Sequence, residues 1–124
     1  MTGRNTPIPV SRGLRRDLVR CAFMDWFGLE TPAAEVLIAL WETPGAAITA
    51  KDIPARRDGS GRLTANALEV RICGLRKAMV AEAIDTLGGG RDVLTEVGLE
   101  ECAKALAHTA NAIAREARRP AKAA

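Results

Sequence analysis

Few side chains in this sequence are of types that make or break bonds. His108 is the single histidine. It sits in an alanine-rich stretch with no cysteine or carboxylate at ligand spacing, so a surface or packing role is expected. Cys21, Cys73 and Cys102 are far apart and form no Cys-x-x-Cys pair. An odd count at such spacing argues against a disulfide framework and for a reducing compartment, and small apolar packing is the default for each thiol. No acid cluster, nucleophile phrase or metal motif is present, so neither an enzyme nor a bound metal or cofactor is expected. Gly88-Gly89-Gly90 is not G-x-G-x-x-G and has no following Lys-Ser/Thr, which makes it a turn rather than a phosphate cradle. What remains is positive charge: Arg56, Arg57 and Arg62 in one stretch, Arg71, Arg76 and Lys77 in the next, then Arg91. Clustered cations attract polyanions, although a solvated basic face is the commoner reason for such residues.

The elements that must carry those cations are legible. Thr64 is an N-cap, and Leu68, Ile72, Leu75 and Met79 follow at spacings of four, three and four, which predicts a helix over 64–80. Arg71, Arg76 and Lys77 fall off that apolar stripe. Ile84 to Leu87 alternates, three glycines follow, and Val93-Leu94 resumes the apolar run, which predicts a β-hairpin over 84–94.

The rest of the 124 residues fits one domain, 11–118, whose core must be aliphatic because only two Trp and two Phe are present. Net charge is +3 and the pI about 9.1. Residues 1–10 and the basic tail 119–124 are expected to be loosely attached. Ser11 could cap a helix over 14–26, with Leu14, Leu18, Cys21 and Ala22 on one side and Arg15, Arg16, Asp17 and Arg20 on the other. Thr31-Pro32 starts a helix over 31–42 whose apolar side is Val36, Leu37, Leu40 and Trp41. Thr49 caps a short helix over 49–53 that ends before Pro54. Residues 55–62 form a polar loop with three arginines. A last helix spans 96–118, with Leu99, Cys102, Leu106, Ala110, Ile113 and Ala117 at threes and fours. It either packs across its own domain, against the first helix, or pairs with a second copy. Residues 1–9 hold no apolar run and no stretch approaches a membrane span, so a cytoplasmic protein is expected.

LEVRICGLRKAM followed by AIDTLGGGRDVL resembles the DNA-binding domain of OmpR/PhoB-type response regulators. The recognition helix of that family typically reads V-D-V-H-I-x-x-L-R-x-K-L, and its wing I-x-T-V-R-G-x-G-Y. ETPAAEVLIAL also looks like the family's first helix, so the resemblance runs back to about Phe27. It implies a mostly α fold with a small β-hairpin, a winged helix-turn-helix with additional N- and C-terminal helices. It also implies a bacterial or phage transcriptional regulator that binds double-stranded DNA sequence-specifically, with the 64–80 helix in the major groove. Alignment puts Asn66, Ala67, Val70, Cys73 and Gly74 towards the groove. Arg71 and Lys77 would reach phosphates, and Arg76 matches a family arginine that either does the same or pairs with an acid. Thr86 matches a phosphate-binding wing threonine, and Arg91 could enter the minor groove. Arg56, Arg57 and Arg62 occupy a loop that in the family can touch RNA polymerase.

The sequence departs from the family in five places. No sheet is expected before the first helix, and no receiver domain is expected. Cys73 and Gly74 stand where arginines are common. The aromatic usual after the wing turn is missing, with Asp92 in its vicinity. A helix follows the wing, and in many winged-helix repressors such a helix builds a homodimer. The thinned arginines leave a second reading open, a module that binds RNA polymerase or another regulator without specific DNA contact.

Overall fold

The computed structural model describes residues 12–56 and 59–120, with side chains from Gly13 onward. Arg57, Asp58, the proposed cap Ser11, residues 1–10 and residues 121–124 lie outside the described residues. Four helices carry most of the chain: α1 (Arg12–Phe27), α2 (Thr31–Glu42), α3 (Ala65–Ala78) and α4 (Glu96–Arg118). Strands β1 (Ile84–Gly88) and β2 (Arg91–Leu94) form an antiparallel hairpin between α3 and α4. The architecture is mostly helical with one small sheet.

α1 packs on α2 and α4, and α3 packs on α2. Phe23, fully buried, fills the meeting point, with the Trp41 ring edge-on at 5.9 Å. Leu37, Leu40, Leu75, Ile53 and Leu94 complete an aliphatic core. The rotation of α1 differs from the sequence expectation. Val19, Ala22 and Phe23 turn inward, whereas Leu14 and Leu18 are half-exposed and Cys21 is exposed. The aromatic ring buries more area than a leucine, so Phe23 decides which face of the helix points in.

α2 spans Thr31–Glu42, but Thr31 is not its cap. Glu30 occupies the N-cap with extended backbone, and Thr31 is already helical. The Thr31 hydroxyl instead donates to Met24 Sδ at 3.8 Å, tying the start of α2 to α1. The expected helix over 49–53 is a single 3₁₀ turn, Ala50–Asp52. Ile53 is extended (φ −116°, ψ 122°) because Pro54 follows it and disfavours helical backbone at the preceding residue. Thr49 is still the cap position, and the Asp52 carboxylate accepts its N–H at 2.8 Å. Just before this turn, Ile48 exchanges two backbone hydrogen bonds with Asp92 of β2, at 2.7 and 3.0 Å. One residue thus forms a third rung beside the hairpin.

The loop from 53 to 63 is pinched shut. Leu63 N–H donates to Ile53 O, Ala55 N–H to Gly61 O and Arg56 N–H to Ser60 O. α3 then starts as predicted, the Thr64 hydroxyl accepting the Ala67 N–H at 3.1 Å. Leu68, Ile72, Leu75 and Met79 are all buried.

Thr95 performs the same service for α4, accepting the Gly98 N–H at 3.2 Å. Its hydroxyl also reaches the Glu82 carbonyl at 2.6 Å and its N–H donates to Ala83 O at 2.9 Å. Of the three thiols only Cys102 is buried; Cys21 and Cys73 are exposed, contrary to the packing default. Burial, with the Glu101 charge next, pushes the Cys102 thiol from 9.0 up to about 12. A raised thiol value favours the protonated folded form. Its contribution to stability is therefore whole below pH 9 and is lost as pH rises towards 12. A thiol-reactive dye at pH 8 is expected to label two cysteines in the native protein and the third only on unfolding. Three equally fast thiols would contradict this packing.

Candidate nucleic-acid interface

The hairpin register decides how the cations are held. Ile84 pairs with Leu94, Asp85 with Val93 and Thr86 with Asp92, then a bulge at Leu87 brings Gly88 opposite Arg91. Gly89 and Gly90 make the two-residue turn with φ of 62° and 72°, a left-handed pair that suits a tight hairpin and that side chains resist.

The bulge places Thr86 and Asp92 on one face, towards α3. Arg76 Nη2 donates to Thr86 Oγ1 and, at 3.4 Å, to the Ile84 carbonyl. Thr86 Oγ1 in turn donates to Asp92 Oδ1 at 2.8 Å. Asp92 is the one buried charged residue among those described. This relay couples α3 to the hairpin through an arginine, a hydroxyl and a carboxylate, and charge assistance strengthens such bonds. Thr86, although exposed, is engaged by Arg76 and Asp92 rather than standing free for a phosphate. Arg76 is half-buried and, of the two roles expected of it, takes the pairing with an acid, reached through Thr86.

On the outer face of α3, Asn66, Glu69, Val70, Cys73 and Lys77 are exposed, and nothing crowds Gly74. Val70 is 67% exposed, the most of any large apolar residue described. Glu69 and Lys77 cancel, so the centre of this face is neutral. Arg71, expected beside Lys77, points elsewhere. It is half-buried and lines a cleft of about 530 Å³ with Arg16, Glu35, Asp52 and Arg56. On the far wall, Arg16 Nη1 meets Glu42 Oε1 at 2.8 Å, and Arg20 Nη1 lies 3.8 Å from Glu35 Oε1.

The remaining cations flank α3. Lys51 and Arg56 are exposed on one side. Arg62 is exposed too, but its guanidinium turns back to the Gly61 and Gly59 carbonyls at 2.7 and 3.1 Å, closing its own loop. On the other side Arg91 stands at the hairpin tip, its Nε donating to Gly88 O at 3.3 Å, near half-exposed Leu87. The structure therefore leaves Asn66, Val70, Cys73 and Lys77 exposed together on α3, with Arg91 at the tip of the hairpin that Arg76 ties to that helix. It sets Arg71 and Arg56 in the neighbouring cleft, and engages Arg62 and Thr86 within their own loop and hairpin.

Asp92 and Glu69 were not singled out in the sequence. Glu69 follows from helical spacing alone, one turn from Cys73. Asp92 was hidden by the bulge, because a regular hairpin around Gly89-Gly90 would put Leu87, not Thr86, opposite it.

Among the described residues, no group of His, Cys, Asp and Glu is placed to hold a metal ion, and no helix is long and apolar enough to cross a membrane. Comparison with models of known families, with curated proteins and with solved structures finds no match for this chain.

Proposed function

We propose that the chain is a winged-helix protein that binds double-stranded DNA in the cytoplasm and regulates transcription. The element order supports this: α2, the Ile48 rung, a one-turn second helix, α3, then a hairpin as wing. The observation that carries the reading is the Arg76–Thr86–Asp92 relay. It fixes α3 and the hairpin as one ledge, so that the outer face of α3 is held out for a groove with Arg91 to one side. A helix of this kind fits the major groove, where Asn66 can bond adenine and Val70 can touch a thymine methyl. Lys77, Arg91, Arg56 and Lys51 supply the phosphate contacts.

Selection from a random duplex pool, then titration with salt, tests the proposal. Four phosphate contacts predict a slope of log K against log salt of roughly −3 to −4. Lys77→Ala combined with Arg91→Ala should reduce that slope by about two and lower affinity by about tenfold or more, with circular dichroism unchanged. Enrichment of no motif, or a slope near zero, would sink the DNA reading.

A second reading has its own support. The neutral, valine-bearing centre of the α3 face suits a protein partner such as RNA polymerase better than a phosphate backbone. Under this reading the same protein captures RNA polymerase in a pull-down, and Val70→Asp abolishes capture while leaving weak DNA binding untouched.

A further inference from the structure

The cleft that Arg71 lines has a volume of about 530 Å³, within the range of small-molecule sites. Its charged lining is balanced. Arg16, Arg56 and Arg71 stand against Glu35, Glu42 and Asp52. Pro32, Ala39 and Pro54 give it an apolar share.

Most of these charges are already served. Arg16 Nη1 meets Glu42 Oε1 at 2.8 Å. The Asp52 carboxylate accepts the Thr49 N–H at 2.8 Å and its hydroxyl at 3.3 Å. Arg56 is exposed, so water serves it. Glu35 is different. Arg16 Nη2 stands 3.9 Å from its Oε2 and Arg20 Nη1 stands 3.8 Å from its Oε1, both too far for a hydrogen bond. Oε2 is buried and accepts no hydrogen bond. Each of the two arginines also has a nearer acid, Glu42 for Arg16 and Asp17 for Arg20. Two arginines among three acids leave one negative charge over, on Glu35.

Arg71 is the converse. It is half-buried on α3, and among the described residues its side chain has no ion pair or hydrogen bond. One cavity is thus lined by a carboxylate and a guanidinium that lack partners and do not pair with each other. A half-buried charge without a partner is costly. A lone anion or a lone cation would relieve only one of the two. A ligand with an ammonium at one end and a carboxylate at the other relieves both, and it keeps the cleft neutral. A quarter of the Glu35 side chain is exposed and rotation about its last bond is soft, so the carboxylate can turn an oxygen to an incoming donor.

We propose that this cleft binds a small zwitterion with an apolar body, its ammonium on Glu35 and its carboxylate on Arg71. A free α-amino acid and a short peptide share this chemistry and differ in span. The proposal is independent of the DNA reading, and its test contains no nucleic acid.

Isothermal titration calorimetry of the full chain with L-leucine and with leucyl-leucine tests it. Binding of either supports the site, and the tighter of the two separates the amino acid from the peptide. Blocking that ligand by N-acetylation, or by amidation of its carboxylate, should weaken it at least about tenfold in each case. Glu35→Gln should weaken the unblocked ligand by a similar factor and leave the N-acetylated one unchanged. Arg71→Gln should weaken the unblocked ligand and leave the amide unchanged. Circular dichroism should be the same for both variants and the parent. No heat from either probe at about 10 mM overturns the proposal. Binding indifferent to both variants puts the ligand elsewhere and overturns the site. Variants that weaken the blocked and unblocked ligands equally would mean that shape alone holds them, which overturns the pairing of charges.

Discussion

Gly98→Ala should destabilise the protein by about 2–3 kcal/mol, although alanine is the better helix former by about 1 kcal/mol. A Cβ at residue 98 would lie 2.4 Å from the Ala83 carbonyl oxygen and 2.4 Å from Leu94 Cδ1. The leucine could rotate, but the carbonyl cannot yield. Ala83 O accepts the Thr95 N–H at 2.9 Å, and its residue is fully buried. The only relief is to lift α4 away from the 3₁₀ turn at 81–83, which also pulls Cys102 out of the core. Urea melts give the stability loss, and the Cys102 thiol should become reactive to dye in native buffer. Equal or greater stability in the variant would show that α4 does not approach the 81–83 turn this closely.

Phe23→Ala has the largest expected cost, about 3–5 kcal/mol. The ring is fully buried and is bounded by Phe27 at 6.1 Å and Trp41 at 5.9 Å. It is the only fully buried aromatic side chain among the described residues. A domain of this size commonly has 5–15 kcal/mol in total, so the variant should melt near or below growth temperature. Phe27→Ala is the control. That ring is half-buried at the end of α1, and its loss should cost clearly less. Equal costs for the two would mean that the three helices do not converge on Phe23.

The long elements were legible because local rules agree there. α3 has a hydroxyl cap at Thr64 and a clean stripe from Leu68 to Met79. α4 has a hydroxyl cap at Thr95 and a long apolar repeat. What was not legible depended on tertiary competition. Leu14 and Leu18 made as good a stripe as Val19 and Phe23, and only packing against α2 and α4 chooses between them. Thr49 to Ile53 carried helix signals, yet Pro54 and the pairing of Ile48 with Asp92 leave room for a single turn. The candidate surface was half legible. The resemblance put Asn66, Ala67, Val70, Cys73 and Gly74 on one face; Asn66, Val70 and Cys73 are exposed there, whereas Ala67 packs against the core. It did not show that Arg71 leans to the α2 side, nor that Arg76 and Thr86 serve each other. The second of those facts depends on a bulge at Leu87, a one-residue irregularity that no period reveals.

The rung at Ile48 has a consequence for how the chain behaves in a crowded solution. A two-stranded hairpin exposes two rows of unpaired backbone groups, each able to recruit a strand from another molecule. Ile48 occupies the outer side of β2 at Asp92 with two hydrogen bonds. The outer side of β1 is left, and there the row is only five residues long, carries Asp85 in solvent and is broken at Leu87. A charge and a bulge on so short an edge leave little for an incoming strand to zip onto. Self-association by sheet extension is thereby discouraged at the one sheet the described residues contain.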